Sequence, residues 1–257
     1  FIEFSLLGLG SDNGMSIRAI AVACAVWTVL FAIPILISVP EEKPAANLPH
    51  VGFFKSYAVL LRDVKTLYRT SRPTFWFLAA SAIFRDGLSG VFTFGGVLAA
   101  ITFGFSAGDV LIFGIVANLV AGISTMASGR LDDWLGPRTV IIGSLAILLA
   151  AGMALFFLRD AGPTAFWVGG LILGACVGPA QAAARSFLAR VAPAGQEGQI
   201  FGLYATTGRA VSFLTPTMWS LFIGIGGAQY WGILGIMLVL AVGLIAMLLV
   251  KLPAHVR

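Results

Sequence analysis

Seven apolar runs, at residues 16–39, 74–103, 108–128, 139–158, 163–188, 199–224 and 229–250, dominate this chain. Each is near the length of about 20 residues that an α-helix needs to cross the hydrocarbon core of a bilayer. No other feature restricts the fold as much, because backbone N–H and C=O groups in lipid must be satisfied within the segment itself. Composition agrees: 59% of the 257 residues are hydrophobic and 11% are charged, where a soluble domain carries about 25% charged residues. A soluble fold of this size has no interior able to take up so much apolar surface. The expectation is an all-α membrane protein of seven transmembrane helices.

Several function classes drop out at once. The net charge of +5 is not gathered into a basic stripe and no nucleic-acid motif accompanies it. Cys24 and Cys176 lie inside apolar runs, and His50 and His255 are isolated, so neither a disulfide, a metal site nor a cofactor is expected. There is no HExxH, no GxSxG and no carboxylate pair at catalytic spacing within the runs, and Gly8, Gly10 and Gly14 lack the spacing and preceding strand of a nucleotide loop. An enzyme is not expected.

One long polar connection, 40 to 73, separates the first run from the other six. The chain therefore divides into 1–39, with the first span; 40–73, a loop; and 74–257, a six-helix bundle. With that loop cytoplasmic, Lys43, Lys55, Arg62, Lys65, Arg69, Arg72, Arg130, Arg138, Arg185, Arg190, Lys251 and Arg257 share its side, against Arg18 and Arg159 opposite. Cytoplasmic loops hold the excess of basic residues, so the C-terminus is expected in the cytoplasm. Within the loop, Phe53, Tyr57, Leu60, Val64 and Leu67 recur at helical spacing, which predicts an amphipathic helix lying on the inner leaflet.

Some residues are out of place in lipid. Arg85, Asp86 and Arg209 fall about ten to twelve residues into their runs, where a charge costs about 2.5–3.5 kcal/mol and so faces a protein interior or a watery cavity. Neighbours on a helix point about 100° apart, so Arg85 and Asp86 are poorly placed to pair with each other. Asp86 with Arg209, at similar depth, is the natural pair. Gly178, Gln181 and Arg185 share one helix face, a notch beneath two groups suited to a carboxylate. Gly170, Gly174 and Gly178 repeat every four residues and predict close approach of a neighbouring helix. Asn118 is expected to hydrogen-bond between helices. Pro34, Pro179 and Pro216 lie inside spans and free backbone carbonyls there.

The connection SGRLDDWLGPR, between the third and fourth runs, resembles the signature loop of the major facilitator superfamily at Gly129, Leu131, Asp133, Gly136 and Arg138, with Asp132 beside them. Trp134 and Pro137 stand where that superfamily often has basic residues. A short loop of this kind acts as a gate, with an acidic side chain positioned to cap a neighbouring helix N-terminus. FRDGLSG, GPAQAAARSFLARVAP and EGQIFGLYATTGRAVSFLTP further resemble bacterial members of the vacuole effluxer family, similar to autophagy-linked amino-acid exporters. The positions matching that pattern include Asp86, Gln181, Arg185, Tyr204 and Arg209.

The resemblance implies that the first run is helix six of twelve and the rest the C-terminal six-helix bundle of a major facilitator fold. Its partner would be the N-terminal half of the same protein, in a bacterial inner membrane. The function implied is secondary active transport of a small polar solute, such as an amino acid, by alternating access, with Asp86 as proton carrier. The alternative on the same fold is a non-transporting sensor or assembly factor. Substrate or proton-pathway residues are then Arg85, Asp86, Gln181, Arg185, Tyr204 and Arg209, and gating residues Gly129, Asp132, Asp133, Gly136 and Arg138. The chain, beginning at Phe1, reads as part of a longer protein.

Overall fold

The computed structural model describes residues 15–38, 53–192 and 195–250. Lys43, His50, Lys251, His255, Arg257 and the Gly8, Gly10 and Gly14 run lie outside them, as do the side chains of Phe53, Lys55 and Tyr57. The chain falls into two units, Phe1–Ser56 and Tyr57–Arg257. Within the first, α1 (Met15–Ser38) carries Pro34 and is mostly apolar after Arg18 in its first turn.

The second unit begins in α2 (Phe53–Thr70) and continues through α3 (Arg72–Ile101), α4 (Ala107–Leu135), α5 (Pro137–Phe157), α6 (Pro163–Val191), α7 (Glu197–Val211), α8 (Leu214–Gly226) and, after the turn Gln229–Trp231, α9 (Gly232–Leu249). Among the described residues, six helices are long and apolar enough to cross a membrane. The remaining predicted span, 199–224, sixth in chain order, is present as two shorter helices, α7 and α8, broken at Ser212 and Phe213. Pro216 accounts for the break. In a continuous helix its ring would collide with the carbonyl of Ser212 and it has no N–H to offer; as third residue of α8 it needs none.

The bundle pairs α5 and α6, α4 and α6, α3 and α9, and α8 and α9, with α3 also touching α6, α7 and α8. Phe77, Phe84, Leu88, Leu145, Phe187 and Leu240 are fully buried at its centre. In lipid, helices gain little from water exclusion, so association depends on close contact between small residues. The predicted glycine stripe does this: a Cβ on Gly178 would lie 2.8 Å from the Ala121 carbonyl oxygen of α4 and collide with the Thr125 hydroxyl. Gly170 faces Phe113 and Gly174 faces Ala117 on the same helix. Gly243 brings α9 onto the backbone of Phe84 in α3 in the same way.

Three expectations need correction. The amphipathic stripe of α2 is not left free along its length: Leu67 is buried, and Leu60 and Val64 pack against the bundle core. Asn118 donates to the Gly114 carbonyl at 2.8 Å, one turn back in its own helix. The gating connection is shorter than a loop, because α4 continues through Asp132 and Asp133 to Leu135 and the whole reversal is made at Gly136, whose φ of 81° suits glycine.

Candidate functional site

Asp86 sits midway along α3, where its carboxylate Oδ2 accepts the backbone N–H of Thr215 at 2.6 Å. That N–H belongs to the first turn of α8, left without a carbonyl partner by the break at Ser212 and Phe213. Asp86 thus caps a helix on another element, and its negative charge meets the positive end of the α8 dipole. Gly90, one turn along α3, makes the approach possible: a Cβ there would collide with the Thr215 side chain. Asp86 is only 7% exposed. The expected pair with Arg209 is not formed; among the described residues no ion pair joins them, and the α8 backbone takes one oxygen of the carboxylate instead.

Arg85, pointing elsewhere as its neighbouring position requires, stacks its guanidinium 3.8 Å from the Tyr204 ring centroid and donates to the Tyr204 carbonyl at 2.9 Å. Gly208 leaves room for it, since a Cβ there would meet the guanidinium at 3.0 Å. The aromatic face and the carbonyl together offset the desolvation of a cation at this depth.

These side chains border a polar cavity of ≈ 320 Å³ between α3, α6, α7 and α8. Arg85, Asp86, Gln181 and Arg209 all line it, so four of the six predicted pathway residues come together. Tyr204 supports Arg85 from behind, and Arg185, exposed one turn beyond Gln181, is not part of the lining. Sequence reasoning missed Ser89, Thr93, Ser212 and Thr215, which also line the cavity. Ser89 and Thr93 follow Arg85 at intervals of four, a polar stripe that helical periodicity alone could have found. Thr215 carried no such signal, because its role depends on the break.

The gating residues form a second cluster. Arg190, at the end of α6, lies 3.8 Å from Asp132 and 3.9 Å from Asp133. The acidic pair therefore meets a cation at a helix C-terminus instead of capping a helix N-terminus. Arg138 donates to the Leu248 carbonyl at 2.9 Å, tying the start of α5 to the end of α9. Gly129 lies within α4. Thr74 closes the same end by donating to the Val191 carbonyl at 3.0 Å.

Apolar helices closed by glycine seams around an off-centre polar cavity, one wall of which is a broken helix, define a polytopic membrane protein of the major facilitator fold. The E. coli fucose:proton symporter FucP has that fold, matching with a TM-score of 0.65 at 15% identity over 93% of this chain and 56% of that one. The chain belongs to the family described as vacuole effluxer Atg22 like, which matches residues 4–255. Among its relatives, the uncharacterized MFS-type transporter YxiO of Bacillus subtilis (strain 168) is 22% identical over 221 residues, covering 86% of this chain and 50% of YxiO. Autophagy-related protein 22 of Cryptococcus neoformans is 25% identical over 237 residues, covering 84% of this chain and 43% of that protein. The chain thus spans about half the length of the curated relatives it matches.

Proposed function

We propose that this chain forms the C-terminal half of a secondary active transporter that moves a small polar solute, such as an amino acid, by alternating access. The observation that carries the reading is the cavity itself: Arg85, Asp86, Gln181 and Arg209 converge at mid-depth on a helix break, where charged groups are costly unless a watery pathway uses them. The names of FucP, YxiO and Autophagy-related protein 22 are consistent with transport. The N-terminal half would supply the facing wall of the cavity. Asp132, Asp133, Arg138 and Arg190 act as the gate on the cytoplasmic side, with the C-terminus there and the protein in a bacterial plasma membrane; the distribution of Lys and Arg between the loops supports that orientation.

Asp86 is the proton carrier in this scheme. Asp86→Asn is close in size and removes the titratable charge, leaving the Thr215 N–H only a neutral and weaker acceptor. In proteoliposomes of the full-length protein it should abolish uphill accumulation under an imposed proton gradient, with insertion and folding retained. Undiminished accumulation by this variant refutes the assignment.

A further inference from the structure

We propose that the N-terminus of α8 is the seat of a carboxylate belonging to the solute, held by Asp86 until Asp86 is protonated, so that the anion and a proton bind together. For its use in flux the inference rests on the transporter reading above; the binding stands apart from it.

Two independent features mark the seat. The first is the N-terminus of a 13-residue helix, opening on the cavity, whose Thr215 N–H already holds one anion, the Asp86 carboxylate. The second is Thr215 itself, 0% exposed and bordering the cavity, whose Oγ1 has no hydrogen-bond partner. An unmatched buried hydroxyl is costly, and a ligand oxygen would satisfy it. Around the same cavity stand the Arg209 guanidinium, which has no ion pair among the described residues, and the Gln181 carboxamide. Arg85 is already engaged by Tyr204. These groups supply N–H and O–H donors and a planar fork, the arrangement that a two-oxygen carboxylate accepts.

Charge counting links the proton to the anion. The charged groups lining the cavity are Arg85, Asp86 and Arg209, a net charge of +1. Behind them α8 and α9 bear no charged side chain, α7 adds Glu197 only at its far start, and α6 adds Arg185 and Arg190 beyond Gln181. A carboxylate arriving alone would sit beside the Asp86 carboxylate and compete with it for one N–H. If Asp86 takes up one proton as the anion enters, that repulsion disappears and the net charge is +1 again, so loading carries no charge into a low-dielectric site. A cation is disfavoured at this place by the helix dipole and both arginines. The linkage has a definite sign: protonation of Asp86 favours the anion, so affinity must rise as pH falls.

The test uses the full-length protein in nanodiscs, titrated with lactate and with its neutral amide, lactamide, at constant ionic strength from mildly alkaline to mildly acid pH, with thermal stability as the readout. Lactate should stabilise and lactamide should not, and lactate affinity should strengthen by up to about tenfold per pH unit, the slope of one proton per anion. Asp86→Asn should bind lactate without pH dependence, at least as tightly as wild type does at its acid end. Thr215→Val, close in shape, should weaken binding about three- to tenfold at every pH, and Arg209→Gln should abolish it. Equal binding of lactate and lactamide, a wild-type affinity flat in pH, or a slope that survives Asp86→Asn overturns the proposal. Lactate binding with the stated slope but no solute flux in proteoliposomes upholds the seat and removes the transporter reading. Flux indifferent to exchanging carboxylate for amide upholds transport and removes the seat.

Discussion

Pro216→Ala should straighten the α7–α8 break, and the magnitude follows from what Pro216 excludes. In an uninterrupted helix from Glu197 to Gly226 the ring would strike the Ser212 carbonyl and one hydrogen bond would be missing, a penalty of about 3 kcal/mol. Alanine removes that penalty, shifting the balance between straight and broken forms by about a hundredfold. With the penalty gone, the Asp86 cap on Thr215 N–H, worth about 1 kcal/mol, is set against the several backbone hydrogen bonds regained across the break, each worth about 0.5–1.5 kcal/mol net, so the straight form should prevail. Two measurements on the full-length protein check this. Hydrogen exchange in the segment spanning 209–217 should slow, because its amides gain carbonyl partners. A double-mutant cycle should give Asp86→Ala a cost of about 0.5–2 kcal/mol in the wild-type background and close to zero beside Pro216→Ala, since a straight helix offers Asp86 nothing to cap. An equal cost in both backgrounds together with unchanged exchange would refute the account of the break.

Other outcomes follow from the same geometry. Gly178→Ala must push α6 off the Ala121 carbonyl and should cost about 1–3 kcal/mol in thermal stability, whereas Gly174→Ala, whose Cβ would lie at 3.4 Å from its nearest neighbour, should cost distinctly less. Arg190→Gln should change stability by at most about 1 kcal/mol, because its side chain is 41% exposed and the contacts to Asp132 and Asp133 are long. Single cysteines at Asp160 and Gln196 should react with impermeant thiol reagents from opposite faces of the membrane, Gln196 from the cytoplasmic one; labelling from the same face would overturn the proposed orientation.

Much of the fold was legible because it depends on local composition. A run of apolar residues near spanning length has one stable form in lipid whatever its neighbours, so the spans could be placed by residue number. The 170, 174, 178 stripe was readable for the same reason: a four-residue glycine repeat presents backbone on one helix face, and the only open question was which helix would meet it. The candidate site was legible as a set of residues out of place in lipid, and four of the six do share one cavity. Their partners were not legible. Opposite charge at equal depth suggested Asp86 with Arg209, yet depth says nothing about azimuth, and a freed N–H took one oxygen of the carboxylate instead.

By itself, then, the sequence determined a membrane-spanning helical chain, the positions of its helices, its asymmetry of loop charge and the identity of the charges buried within it, all properties that a helix has before it touches another. Tertiary structure decided what those charges do. Pro216 marks a weak point in any helix, but only the meeting of α3 and α8, allowed by Gly90, turns that weakness into a helix N-terminus held by Asp86. Arg85 found an aromatic ring and a carbonyl, and Arg209 was left facing the cavity, because helix rotation and close approach are set by neighbours distant in the chain.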